Sequence, residues 1–174
     1  QLVLGPRQQP VLQAALAAVL EIAEVAHHLA ADRLHQIRLA GTIELVFVDG
    51  RFDAALSAKT LPAGLTVTPA GESSRADALL GSVAGIDTRP FAALSTALFE
   101  ELAFVEVAPG AVVDEPLHLL FYSTAQEIPG ASFPRTLIHA GEQSQATIVE
   151  SFAGDADAVY LTCPVTEIVA DPAA

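Results

Sequence analysis

Phe104-Val-Glu-Val-Ala-Pro-Gly110, followed after four residues by Glu115-Pro-Leu-His-Leu-Leu-Phe121, decides how this chain is read. Both runs are rich in β-branched, aromatic and leucine side chains, and a Pro-Gly turn signal breaks them apart. The same grammar continues to the end of the sequence. Strands are predicted over 103–107, 117–122, 136–140, 146–152, 158–162 and 165–169, with Pro, Gly, Asp and Glu in the breaks. Several of these runs are apolar at successive positions rather than alternating, as expected when both faces of a strand are covered. No long helical pattern separates them, so a doubly wound α/β fold is not expected. Two architectures fit the pattern: a compact β-sandwich or barrel, and a β-helix whose coils stack on one another.

Upstream the pattern is mixed. Ile43-Glu-Leu-Val-Phe-Val48 predicts a strand running into the turn signal Asp49-Gly50. Phe52 and Leu56 follow in an irregular stretch, and Leu61-Pro-Ala-Gly64 turns the chain into a strand over 65–68. Helix is expected between Ser73 and Leu102, with Asp87 or Thr88 as cap, Pro90 in the first turn, and Leu94, Leu98 and Leu102 along one face. Before Gly41 the composition changes to alanine and leucine. Leu12, Leu16, Val19, Ala23, Ala26, Ala30, Leu34 and Ile37 make one apolar stripe, which predicts a helix over 8–39 stopped near Gly41. Three regions result: an N-terminal helical region over 1–41, a mixed α/β segment over 42–102 and a β core over 103–174.

The bulk composition narrows the function classes. Hydrophobic residues make up 52% of the 174, so a core is available and disorder is not the default. Eight basic against 21 acidic residues give a net charge of −13, which repels phosphate backbones and anionic membranes. One cysteine, Cys163, excludes an internal disulfide framework and suits a reducing, cytoplasmic compartment. No secretory leader is read at the N-terminus and no run reaches the ~20 apolar residues of a membrane span. The chain starts at Gln1 and contains no methionine, as expected of a piece of something longer.

Candidate chemistry is sparse. His118, Glu127 and His139 follow a Pro-Gly turn among strands, which is the setting of a cupin metal site. A cupin needs two histidines one residue apart, and Leu120 stands at that second position. His27, His28 and His35 lie on the first predicted helix near Glu21 and Glu24, with no Glu-x-x-His pair elsewhere to complete a site. Cys163, before Pro164, has no basic neighbour in sequence and reads as a buried structural thiol. No phosphate-binding loop, dinucleotide fingerprint or nucleophile elbow is present. Asp114-Glu115 and Glu100-Glu101 are adjacent pairs whose side chains diverge, so they read as surface. No catalytic, cofactor-binding or metal-ligating residue is assigned, and no enzyme is expected.

From Val46 onward the chain resembles the SufB/SufD family of iron–sulfur cluster assembly proteins. The resemblance is carried by Phe47-Val-Asp-Gly-Arg-Phe-Asp-Ala-Ala-Leu-Ser57 with Leu61-Pro-Ala-Gly64, by Phe91-Ala-Ala-Leu-Ser-Thr-Ala-Leu-Phe99, and by the two opening runs. Pro134-Arg-Thr-Leu-Ile138, Thr147-Ile-Val-Glu150 and Val165-Thr-Glu-Ile-Val169 then follow in the family's order. Glu150 is followed by Ser151-Phe152-Ala153, as in D-type chains, where B-type chains carry a Glu-Gly-Cys-like step. The resemblance implies a right-handed parallel β-helix of single-stranded stacked coils after an N-terminal helical region, incomplete at its C-terminal end. It also implies a non-catalytic scaffold in a SufBCD-type complex, with a SufB-type homologue and a SufC-type ABC ATPase as partners. The ATPase-docking region and the cluster-building residues of the family lie beyond Ala174. No cofactor is therefore expected in this part, the iron–sulfur cluster being what the complex assembles. Strand edges left open at the end of such a stack are expected to promote self-association.

Overall fold

The computed structural model describes residues 33–34, 37–68, 73–124, 130–156 and 158–174. Two compact units are present, Gln1–Ile37 and Arg38–Ala174. The helix predicted over 8–39 lies almost wholly outside the described residues. Arg33 and Leu34 are helical, but residues 38–39 are not, so the helix ends short of Leu39.

The second unit is mostly β with few helices. Its strands are β1 (Ile43–Val48), β2 (Arg51–Asp53), β3 (Leu65–Thr68), β4 (Leu102–Val107), β5 (Leu117–Ser123), β6 (Gly130–Ser132), β7 (Arg135–Ala140), β8 (Ile148–Gly154), β9 (Tyr160–Thr162) and β10 (Val165–Ala170). Two short helices, α1 (Ser74–Leu79) and α2 (Pro90–Leu98), interrupt them. One four-stranded sheet runs β2-β1-β5-β8, a second runs β10-β7-β4-β3, and β6 pairs with β9. Both large sheets are mixed, because β2 and β3 join them antiparallel while every other pairing is parallel.

The parallel pairings share a spacing. Leu102 on β4 faces Arg135 on β7, which in turn faces Val165 on β10. Leu117 on β5 faces Ile148 on β8, and Gly130 on β6 faces Tyr160 on β9. Each partner follows after an interval of roughly 30 residues, within the range of structural repeats. Only β1 departs from this spacing: Ile43 faces Leu117, more than twice as far along the chain.

The main core lies between the two sheets. Ile43, Leu45 and Phe47 of β1 and Leu117, Leu119 and Phe121 of β5 meet Ala103, Val105 and Val107 of β4 and Ile138 of β7. Phe47, Phe121 and Phe152 occupy matching register positions and stack at centroid distances of 4.8 and 5.1 Å. A smaller cluster covers the opposite face of the second sheet, where Ala76 of α1 packs on Leu102, Phe104 and Leu137. All seven residues of β5 are buried, which accounts for apolar residues at successive positions on both of its faces.

The turns show why the strands end where they do. Asp49 (φ 50°) and Gly50 (φ 87°) both take the left-handed conformation that a two-residue β1–β2 hairpin requires. The Asp49 carboxylate then accepts the N–H and the hydroxyl of Thr124, at 2.8 and 2.6 Å, pinning the hairpin to the end of β5. Gly141 is needed for a different reason. A Cβ there would stand 2.7 Å from Pro109 N and 2.8 Å from the Val107 carbonyl oxygen.

Three local expectations are corrected. The cap of α2 is Arg89, with no side-chain cap bond, rather than Asp87 or Thr88. Leu94 and Leu98 are exposed, and Leu102 belongs to β4, so the three do not line one buried helix face. Residues 51–53, expected to be irregular, pair with β1 as β2.

Candidate functional site

The two strand histidines do not meet. His118 alternates with the core residues Leu117 and Leu119, so it projects from the outer face of the first sheet. His139 follows core residue Ile138 and projects from the outer face of the second. His118 is fully buried; its Nδ1 lies 3.0 Å from Glu44 Oε2, whose other oxygen is 3.0 Å from Arg38 Nε. His139 lies 3.6 Å from Glu106 and 3.3 Å from Asp171. A core two sheets thick separates the pair, so they cannot share one ion as a cupin site demands. Glu127, His27, His28 and His35 lie outside the described residues. Among the described residues no group of three or more His, Cys, Asp or Glu side chains is placed to hold a metal. Cys163 is buried, with its thiol 4.0 Å from the Phe91 carbonyl oxygen.

The adjacent carboxylate pair Glu100-Glu101 has a positional role. Glu100 pairs with Arg51 at 2.7 Å and Glu101 accepts the Phe52 N–H at 2.6 Å, holding β2 from its free side.

One fully buried ion pair is a feature that the sequence reading did not single out. Arg135 on β7 and Glu167 on β10 meet at 2.5 Å with no solvent exposure of either side chain. Glu167 also accepts the backbone N–H groups of Gly81, Val83 and Ala84, at 2.8, 2.9 and 2.8 Å. Burial alone would raise its pKa; the three N–H donors and Arg135 outweigh that and hold it below the ordinary carboxylate value. Burial pulls the Arg135 pKa down, against the pull of Glu167. The pair ties the loop after α1 to the second sheet. A signal for it was present: Arg135 is the only Lys or Arg after Arg89.

Strands β8, β9 and β10 form one end of the unit among the described residues. Each is the last strand of its sheet. Backbone bonds from Leu117 N–H to Thr147 O and from Asp155 N–H to Ser123 O fix the odd-numbered residues of β8 toward β5. Backbone groups alternate in direction along a strand, so those of Ile148, Glu150 and Phe152 point outward. Bonds from Val165 N–H to Pro134 O and from Asp171 N–H to Ala140 O place Thr166, Ile168 and Ala170 of β10 the same way. Between the two edges lies an open groove of about 790 Å³, lined by Val112, Asp114, Ile148, Glu150, Thr166 and Ile168 among others. Phe152 is 44% and Ile168 59% exposed at this end of the inter-sheet core among the described residues. Glu150 spans the groove, accepting the hydroxyls of Thr136 and Thr166 at 2.7 Å each.

No family model matches the chain, and no curated protein matches it. No helix among the described residues is long and apolar enough to cross a membrane.

Proposed function

We propose that this chain is the leading part of a SufD-type scaffold subunit, acting through protein–protein contact in a SufBCD-type complex that assembles iron–sulfur clusters. On this reading the strands from β4 onward are successive coils of a right-handed parallel β-helix. The observation that carries it is the common spacing of the parallel pairings, shared by all three sets of strands. Such spacing is what a coil of three short strands produces when each coil stacks on the one before. The motif order from Val46 to Val169 supplies the family assignment.

A stack of this kind is a stiff platform that transmits a partner's movement without performing chemistry. The partners are a SufB-type homologue and a SufC-type ABC ATPase, in the reducing cytoplasm. The cluster is the complex's product, and this part of the chain holds no cofactor of its own.

The test is affinity purification of the full reading frame from its own cells, with mass spectrometry of what co-purifies. Recovery of an ABC-type ATPase together with a B-type homologue is expected. Clean recovery of the protein with neither would overturn the assignment.

A further inference from the structure

We propose that residues 81–86 form a strap across the outer face of the second sheet that lifts and closes as a unit while the sheet stays folded, with Glu167 as its latch. The inference rests on this contact and not on the iron–sulfur assignment.

The latch lies on the face of the sheet and not at its edge. Thr166 and Ile168 line the groove between the sheets, so Glu167 between them projects from the opposite side of β10. A strand stacked beside β10 would extend the sheet in its own plane and leave this face, with the strap on it, in place.

The strap is attached by polar contacts. Ahead of it, Leu79 and Leu80 still pack on the cluster of Ala76, Leu102, Phe104 and Leu137. Beyond them apolar anchoring nearly stops: of residues 82–90 only Ala84 is buried, and Val83 and Ile86 are exposed. Among the described residues, every hydrogen bond from 81–86 to a strand ends on the Glu167 carboxylate, from the N–H groups of Gly81, Val83 and Ala84. The others are local, from Ser82 N–H to the Leu79 carbonyl and from Arg89 Nη1 to the Val83 carbonyl. A Cβ at Gly81 or Gly85 would meet nothing within 4 Å, so the backbone has room to turn at both positions. A segment with so little apolar burial opens at lower free energy than the core beneath it.

Opening changes what the sheet presents. In the closed state neither Glu167 nor Arg135 meets solvent, and Arg135 Nε and Nη1 are buried without a hydrogen-bond partner among the described residues. Lifting the strap lets water rehydrate the carboxylate and the freed N–H groups, which offsets the bonds that are lost. It also opens a path to a guanidinium with two unused donors. The strap therefore gates the one cation of the second sheet, and a single carboxylate decides whether the gate is shut.

The test is amide hydrogen exchange of the full chain, followed by NMR across sub-denaturing urea concentrations. The N–H groups of Gly81, Val83 and Ala84 are expected to be protected, yet to exchange at least about tenfold faster than that of Leu119 in the central strand β5. Urea should leave the strap rates unchanged, because a local opening exposes little new surface, while the Leu119 rate rises. Glu167→Gln keeps an acceptor oxygen but loses the charge, and is expected to speed strap exchange about tenfold. Strap amides that match Leu119 in rate and urea dependence would overturn the proposal, since the strap would then open only with the whole unit. Unprotected strap amides in the wild type, or unchanged strap exchange in folded Glu167→Gln, would overturn it by removing the latch. Co-purification bears on the scaffold assignment alone, and exchange bears on the strap alone.

Discussion

The carboxylate of Glu167 and the guanidinium of Arg135 meet at 2.5 Å in a place that solvent does not reach. The two ends of this contact are unequally supported. Glu167 has three further donors from the 81–84 loop, while Arg135 Nε and Nη1 are buried without a hydrogen-bond partner among the described residues.

Removing either partner should therefore have unequal effects. Glu167→Leu leaves a buried cation and three orphaned N–H groups, and is expected to lower stability by about 3–5 kcal/mol. Arg135→Met leaves the carboxylate held by three backbone donors, and should cost less, on the order of 2 kcal/mol. Urea denaturation of the two variants checks the order; a larger loss in Arg135→Met would contradict it.

The same carboxylate gives a pH dependence. Its folded pKa lies below its unfolded value, which is about 4.3 for glutamate. A depressed carboxylate contributes stability that is complete above the unfolded value and is lost as pH falls through the folded one. Wild-type stability should thus decline below about pH 4.3 more steeply than that of Glu167→Gln. Parallel slopes for the two proteins in denaturant melts across that range would count against the linkage.

The phenylalanine stack offers an internal control. Phe121 sits in the middle of it and is 5% exposed, whereas Phe152 at its end is 44% exposed. Phe121→Ala should destabilise by about 3–5 kcal/mol, and Phe152→Ala by roughly 1 kcal/mol or less, since much of its surface is already wet. Chemical denaturation measures both.

Glycine replacement separates close approach from mere presence in a loop. Gly141→Ala puts a methyl group against the backbone of Pro109 and Val107, with no flexible side chain to yield. A loss of about 2 kcal/mol or more is expected there. At Gly85 nothing lies within 4 Å, and alanine should be neutral or stabilise by up to about 1 kcal/mol. Melting temperatures of the two variants make the comparison.

Most of the β elements were legible, because their evidence is local. Ile43–Val48 and Leu117–Ser123 are mostly apolar, β-rich runs, and both are strands. Residues 51–53 and 130–132 were missed, for each is a three-residue strand with no periodicity of its own. β2 exists because Glu100 and Glu101, some 49 positions away, hold its free side. Leu94 and Leu98 were misplaced for a related reason: helical spacing does not reveal which face a neighbour will cover. Of the site, His118 and His139 were visible as residue types, but the sheets that part them are a product of topology. Glu167 and Arg135 stand 32 positions apart and become partners only through the β7–β10 register.

The long step from β1 to β5 bears on how the chain is made. Every other parallel partner arrives after one common interval, but Ile43 waits for Leu117, more than twice that far downstream. Closing the longer loop costs about 0.8 kcal/mol more in chain entropy than closing the step from β5 to β8. On the ribosome the delay matters more. At roughly 5–20 residues per second, the β1–β2 hairpin leaves the exit tunnel about 4–15 s before the strand that will shelter Leu45 and Phe47. For that interval its apolar face lacks the in-sheet neighbour that completes its cover, and a nascent-chain holdase that shields it would protect the molecule at its most vulnerable moment.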